Sequence, residues 1–204
     1  KQRMQYNLAK ALNSIGEYQS ALSLLKESLL LVEKNSVGYG LTLMEIGKNE
    51  TNLDKYSEAL LNYQKALSIF ERYKMNLLIA KNKLMQGSIL TKQSKLEQAL
   101  KIQNEALQMF TQLVGNQSED FAFALMEISI TLIELGQYDE ALQKRFEVLN
   151  IREKLYPNLN YKVAHAHFEI GTAYSYLADF NNAIKYQAKA IKIKEKIYGK
   201  KHPY

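Results

Sequence analysis

Cysteine is absent from the 204 residues, which excludes disulfides, thiolate metal sites and a cysteine nucleophile. A chain without thiols suits a reducing compartment, and a cytoplasmic location is the expectation. Proline occurs only as Pro157 and Pro203, beside nine glycines. So few breakers over such a length favour helices. No apolar run reaches the ~18 residues needed to span a bilayer, and nothing after Lys1-Gln2-Arg3-Met4 resembles a signal peptide. Histidines are scarce, and His165 and His167 stand two residues apart, so on a helix they diverge and cannot share a metal. Phosphate-binding loops, dinucleotide fingerprints and nucleophile elbows are all missing. No enzyme activity, metal or cofactor is expected. Two glycosylation-type triplets, Asn49-Glu50-Thr51 and Asn116-Gln117-Ser118, read as chance matches. The net charge is +6, but Lys185, Lys189, Lys192, Lys194, Lys196, Lys200 and Lys201 face only Glu195 in the last stretch, so residues 1–184 are neutral overall. Such a local excess, with no arginine cluster or interleaved aromatics, does not predict nucleic-acid binding.

What is present is a repeat. Gly16-Glu17-Tyr18-Gln19-Ser20-Ala21-Leu22 recurs as Asp54-Lys55-Tyr56-Ser57-Glu58-Ala59-Leu60, then as Ser94-Lys95-Leu96-Glu97-Gln98-Ala99-Leu100. It returns as Gly136-Gln137-Tyr138-Asp139-Glu140-Ala141-Leu142 and Ala178-Asp179-Phe180-Asn181-Asn182-Ala183-Ile184, so the alanines lie 38, 40, 42 and 42 residues apart. Twelve residues before each alanine stands Ala9, Gly47, Gly87, Ser129 or Gly171. Seven after it stands Ser28, Ala66, Ala106, Val148 or Ala190. Fourteen of these fifteen residues are Gly, Ala or Ser, the residues that let two helices approach closely.

Each copy reads as two amphipathic helices joined by a tight turn. Leu8, Leu12 and Ile15, like Ile128, Leu132 and Leu135, are spaced as the apolar face of a first helix. Ala21, Leu25, Ser28 and Leu29, like Ala141, Val148, Leu149 and Ile151, serve a second helix. Glu119-Asp120 reads as capping the start of a first helix. The expected fold is all-α, five helix pairs in one array over 1–204 with repeats near 2–38, 39–78, 79–120, 121–162 and 163–204.

The pattern resembles the tetratricopeptide repeat (TPR) family over essentially the whole chain, and the resemblance implies that the five helix pairs coil into a right-handed superhelical α-solenoid. The period exceeds the family's usual one and resembles the longer variety of kinesin light chains and nephrocystin-like proteins. Ile193-Lys194-Glu195-Lys196-Ile197-Tyr198-Gly199-Lys200-Lys201-His202-Pro203 is similar to that variety's linker, and Ile151-Arg152-Glu153-Lys154-Leu155-Tyr156-Pro157 is a looser copy. The resemblance implies that His202-Pro203 opens a further repeat and that the chain is an excerpt of a longer array.

The resemblance also implies a concave groove lined by the first helices. Its candidate residues fall in four rows. Three before each small residue stand Tyr6, Met44, Leu84, Met126 and Phe168; two before stand Asn7, Glu45, Met85, Glu127 and Glu169. One after stand Lys10, Lys48, Ser88, Ile130 and Thr172; five after stand Ser14, Asn52, Lys92, Glu134 and Tyr176. The apolar row either grips a partner's apolar side chains or packs repeat on repeat. The glutamates either meet a partner segment or pair with lysines such as Lys10 and Lys48. The two-carboxylate clamp of chaperone-binding relatives is absent, since Tyr6 and Lys10, Glu45, and Lys81 and Met85 occupy its places. Lys185, Lys189, Lys192 and Lys196 form a stripe on the last helix, either a solvated face or a dock for an acidic partner. The leading expectation is an adaptor that holds a partner protein segment within a larger complex. The alternatives are an architectural spacer in a cytoskeletal or ciliary assembly, and a regulatory arm of an enzyme whose catalytic domain lies elsewhere.

Overall fold

The computed structural model describes residues 2–156 and 159–199, and the side chain of Gln2 is not among those described. Pro157, Lys200, Lys201, His202 and Pro203, with the linker reading that rests on them, lie outside the described residues. Among the described residues there are ten helices and no strand: α1 (Gln2–Ser14), α2 (Tyr18–Leu30), α3 (Val37–Asn52), α4 (Tyr56–Arg72), α5 (Asn76–Lys92), α6 (Leu96–Val114), α7 (Glu119–Glu134), α8 (Tyr138–Leu155), α9 (Tyr161–Tyr176) and α10 (Phe180–Tyr198). They pair in chain order, a first and a second helix each time. Two compact units result, Lys1–Met109 and Phe110–Tyr204.

The crossings fall where the small residues are. All fifteen positions of the repeat pattern are buried. In the first unit, a Cβ on Gly87 of α5 would stand 2.5 Å from Gln103 Cγ and 3.0 Å from Ile102 Cγ2 of α6. One on Gly47 would meet Tyr63 at 3.0 Å and the Ala59 carbonyl oxygen at 3.2 Å. Large side chains opposite the small ones fill the remaining space: Leu25, Tyr63 and Gln103 are all at most 1% exposed. The core therefore alternates small against large residues across each pair.

One turn design serves all five pairs. Gly16, Asp54, Ser94, Gly136 and Ala178 each end a first helix with φ between 56° and 83°. The next residue's N–H reaches back to the carbonyl five before it, as from Glu17 to Leu12, Lys55 to Glu50, Lys95 to Leu90, Gln137 to Leu132 and Asp179 to Tyr174, at 2.8–3.0 Å. This is the Schellman closure of a helix end, which favours glycine in the left-handed position. Three copies tolerate a Cβ there. Ala178 has neither glycine's freedom nor a polar side chain to offset the left-handed conformation. Ala178→Gly is therefore expected to stabilise the second unit by about 0.5–1 kcal/mol. Thermal unfolding followed by circular dichroism checks this, and a lowered melting temperature would contradict it.

Two expectations change. Leu8 and Ile15 of α1 are 52% and 72% exposed, and only Leu12 of that trio is half-buried. The residue of α3 aligned with Leu8, Ile46, is buried against Ala21, Leu22 and Leu25 of the preceding pair. Among the described residues α1 has no such preceding pair. Glu119 does not cap α7. Ser118 does, its Oγ accepting the Phe121 N–H at 3.2 Å. Glu119 instead meets Arg152 Nη2 of α8 at 3.1 Å and Lys162 Nζ of α9 at 3.3 Å, and so ties three helices of the second unit together.

Candidate interaction surface

The row three before the small residues is mainly packing. Leu84 and Met126 are 1% and 4% exposed. Tyr6 and Met44 are half-buried, and Met44 packs against the buried groups around Phe70 and around Tyr63. Phe168 alone is open, 45% exposed, with Lys194 Nζ 5.9 Å from its ring centre. Burial and, next, the Glu45 carboxylate push the Tyr6 phenol up to about 12.

The glutamate row divides. Glu45 and Glu127 are half-buried. Glu169 is committed within the second unit: its Oε2 lies 2.9 Å from Arg145 Nη2, and its backbone carbonyl accepts a second bond from Arg145 Nη1. Arg145 Nε donates to Ser129 Oγ at 3.2 Å. The guanidinium of α8 thus occupies the crossing below Ser129 of α7 and bolts α9 onto it. Burial lowers the Arg145 pKa, and Glu169 opposes that shift. The partner of Glu169 is this arginine and not a lysine. Arg145 is the residue that sequence reasoning passed over. Its signal was an arginine in a row of large crossing residues that otherwise reads Leu25, Tyr63, Gln103 and Gln187.

The outer rows are more accessible. Asn7, Lys10, Ser14, Lys48, Asn52 and Lys92 are exposed in the first unit, where Met85 and Ser88 are half-buried. In the second unit Glu134 is exposed and Ile130 is 38% exposed. Thr172 is half-buried and its Oγ1 donates to the Phe168 carbonyl at 3.2 Å. Tyr176 is 50% exposed, with its ring stacked on Tyr138 of α8 at 5.5 Å. The first helices of the first unit thus present Arg3, Lys10, Lys48 and Lys92 as exposed cations. Between α1 and α3 lies an open cleft of about 320 Å³ lined by Arg3, Tyr6, Asn7, Gly38, Leu41 and Thr42. On α10, Lys185, Lys189, Lys192 and Lys196 are all exposed, with Lys189 Nζ 4.8 Å above the Tyr186 ring centre.

His165 and His167 diverge. His165 is exposed and lies 3.5 Å from Glu169 Oε1. His167 is 7% exposed, 5.9 Å from the Tyr186 ring and 4.0 Å from Glu153 Oε1. Burial, then Lys189, hold its pKa below the usual histidine range against the pull of Glu153. Burial also lowers His165, Glu169 opposing and Arg152, Lys194 and Arg145 assisting. A base harder to protonate when folded lets the unfolded chain bind protons first, so stability falls as pH drops through about 6.5. The second unit should melt earlier at mildly acid pH than at neutral pH, and His167→Gln should flatten that slope. An equally steep slope in the variant would contradict this. Among the described residues no group of three or more His, Cys, Asp or Glu could hold a metal ion, and no helix is long and apolar enough to cross a membrane.

Two family models match, both described as tetratricopeptide repeat, over residues 78–154 and 164–197. The chain carries tetratricopeptide repeats. The TPR match extends to solved structures at the level of fold. BtubC (BKLC) from P. vanneervenii superposes with a TM-score of 0.74 at 22% identity, over 97% of this chain and 80% of that one. A kinesin light chain-like protein of nearly identical TPR-like repeats from Podosopora anserina gives 0.69 at 14% identity, over 96% of both chains. A Rap protein complexed with Competence and Sporulation Factor gives 0.83 at 18% identity, over 93% of this chain and 52% of that one. No curated protein matches the TPR chain in sequence.

Proposed function

We propose that this TPR chain is a protein–protein interaction scaffold whose first helices hold an extended segment of a partner protein. The observation that carries the reading is the accessible face of α1, α3 and α5. There Asn7, Lys10, Lys48 and Lys92 are exposed, and Arg3, Tyr6 and Asn7 line a cleft large enough for side chains. Packing does not require cations at these positions, and an exposed polar row beside a half-buried aromatic suits a peptide backbone and its side chains. The charge of this face favours carboxylates on the segment. The Rap protein complexed with Competence and Sporulation Factor supports the reading, as a related fold occupied by a partner. The long repeat period supports, on this proposal, an array of the kinesin light chain and nephrocystin-like variety.

A second reading is an architectural spacer that docks through its lysine-rich end, in a cytoskeletal or ciliary assembly. The exposure of all four stripe lysines on α10 favours it.

The two readings separate by capture from an extract of the source organism, with Lys10→Glu/Lys48→Glu and Lys185→Glu/Lys189→Glu as comparison baits. The scaffold reading expects a partner held by the wild type and by the α10 variant but lost, by about tenfold or more, from the first-helix variant. A partner kept by the first-helix variant and lost from the α10 variant would overturn it in favour of the spacer.

A further inference from the structure

A second cleft of the first unit, about 440 Å³ in volume, lies between α3, α4 and the turn before α3. That is room for a small organic group. Its floor is apolar. Leu43 of α3 and Ile69 of α4 form it, both buried, and the half-buried Tyr39 ring packs on the same group as one wall. Its rim is cationic. Lys65 and Arg72 of α4 are both exposed. Seven residues apart, they share one face of the helix and stand about 10 Å apart along its axis. Ser68, small and exposed, lies between them. Asn35, at φ 62°, closes the remaining side from the turn.

These groups are donors without acceptors. Among the described residues no carboxylate pairs with Lys65 or Arg72, and none lines the cleft. Glu33, Glu58 and Glu71, the acidic residues nearest in the chain, are exposed and form no part of its lining. Arg72 rests beside the Tyr73 ring at 5.9 Å, a contact that leaves its N–H donors open. The next pair shows how such a place is neutralised within the chain. There Lys83 and Glu105 stand where Leu43 and Lys65 stand here, and their side chains meet at 2.7 Å. Between α3 and α4 the first of these positions is apolar and the second is a cation, so the positive charge has no counterpart in the pair.

We propose that this cleft binds a phosphate monoester carried on an aromatic ring. Such a phosphate carries a charge of about −1.5 to −2 near neutral pH and three acceptor oxygens, which matches two cations and two neutral donors. Arg72 offers paired N–H groups to the phosphate oxygens, and Lys65 adds a point charge. The ring lies on Leu43 and Ile69 beside Tyr39. A carboxylate on the same ring satisfies only one of the two cations. None of the lining residues belongs to the first-helix rows, so the site does not rest on the proposed scaffold function.

The test is a titration of the whole chain with phenyl phosphate, followed residue by residue in nitrogen-15 NMR spectra. Parallel titrations use N-acetyl-O-phosphotyrosine amide, benzoate, phenol and inorganic phosphate. The proposal expects saturable shifts centred on Asn35, Tyr39, Ser68 and Arg72, with benzoate and inorganic phosphate about tenfold weaker and phenol without effect. Lys65→Gln/Arg72→Gln, at exposed positions, should weaken phenyl phosphate about tenfold and leave melting unchanged. Leu43→Lys/Lys65→Glu, which rebuilds the Lys83–Glu105 pair in this cleft, should abolish binding. Phosphotyrosine amide binding as tightly as phenyl phosphate would assign the site to a phosphorylated protein side chain, and binding of phenyl phosphate without the amide would assign it to a free aryl phosphate. Equal binding of benzoate or inorganic phosphate would overturn the proposal, as would undiminished binding in Lys65→Gln/Arg72→Gln. So would shifts confined to α1 around Arg3 and Lys10, or no saturable shift with either aryl phosphate.

Discussion

Gly171→Ala is expected to destabilise the second unit by about 1–3 kcal/mol, the range of overpacked crossings. The sign is the informative part. In an exposed helix interior the same change stabilises by about 1 kcal/mol, because alanine is the better helix former. At Gly171 the added Cβ would stand 2.7 Å from Gln187 Cγ, 2.9 Å from the Ala183 carbonyl oxygen and 3.2 Å from the Gln187 backbone nitrogen. Gln187 can swing its side chain away, but the backbone of α10 cannot yield without moving the helix. Gly171→Leu extends the conflict to a full side chain and should leave α9 and α10 unable to pair. Ala141→Leu, at a residue with no exposure on the other pair of this unit, should act likewise. For a unit of this size each kcal/mol corresponds to roughly 4–8 °C of melting temperature. An unchanged or raised melting temperature for Gly171→Ala would mean that the helices do not cross there.

Arg145→Ala and Glu169→Ala are each expected to cost about 3–5 kcal/mol, the cost of leaving one charge of a buried pair alone. The Arg145 side chain is 3% exposed and that of Glu169 18%. Loss of Glu169 strands a guanidinium beneath α9, and loss of Arg145 strips Ser129 and the Glu169 carbonyl of their donor. Arg145→Leu/Glu169→Leu should cost well under the sum of the single changes, since an apolar pair removes the desolvation penalty together with the attraction. Urea unfolding of the four proteins gives the coupling. A Glu169→Ala protein as stable as the wild type would contradict the bolt and return Glu169 to the partner-binding surface. For the same reason Glu169→Lys is a poor probe of binding, as it places two cations together inside the second unit.

The repeat was readable because fourteen of its fifteen crossing positions, all but Val148, report on one geometric demand. Two helix backbones that approach closely leave room for hydrogen, methyl or hydroxymethyl and little else, so Ala9, Gly47 or Ser129 announces its place by size alone. The turn was half readable. Gly16 and Gly136 announce a left-handed residue, whereas Asp54, Ser94 and Ala178 adopt one without being the residues that favour it most. Charge pairing was the least legible. Glu119 and Arg152 lie 33 residues apart in the chain, and no local spacing indicates that Glu119 skips the helix start beside it. Glu169 resembled Glu45 and Glu127 in every local respect, and only the arginine across the pair boundary sets it apart. Leu8 and Ile15 carried the period of a buried face, but burial of that face depends on a preceding pair, as Ile46 shows. The accessible cations of α1, α3 and α5 follow directly from the sequence rows, while the aromatic stack of Tyr176 on Tyr138 could be found only in three dimensions.

On the proposed function, the first helices of the first unit are the partner-binding face. Hydrogen–deuterium exchange of the chain, alone and saturated with the partner recovered by capture, tests it most directly. Slowed exchange is expected to be confined to α1, α3 and α5, strongest near Tyr6, Lys10 and Lys48, with α2 and α4 unchanged. Protection of α2 and α4 with α1, α3 and α5 unchanged would contradict it.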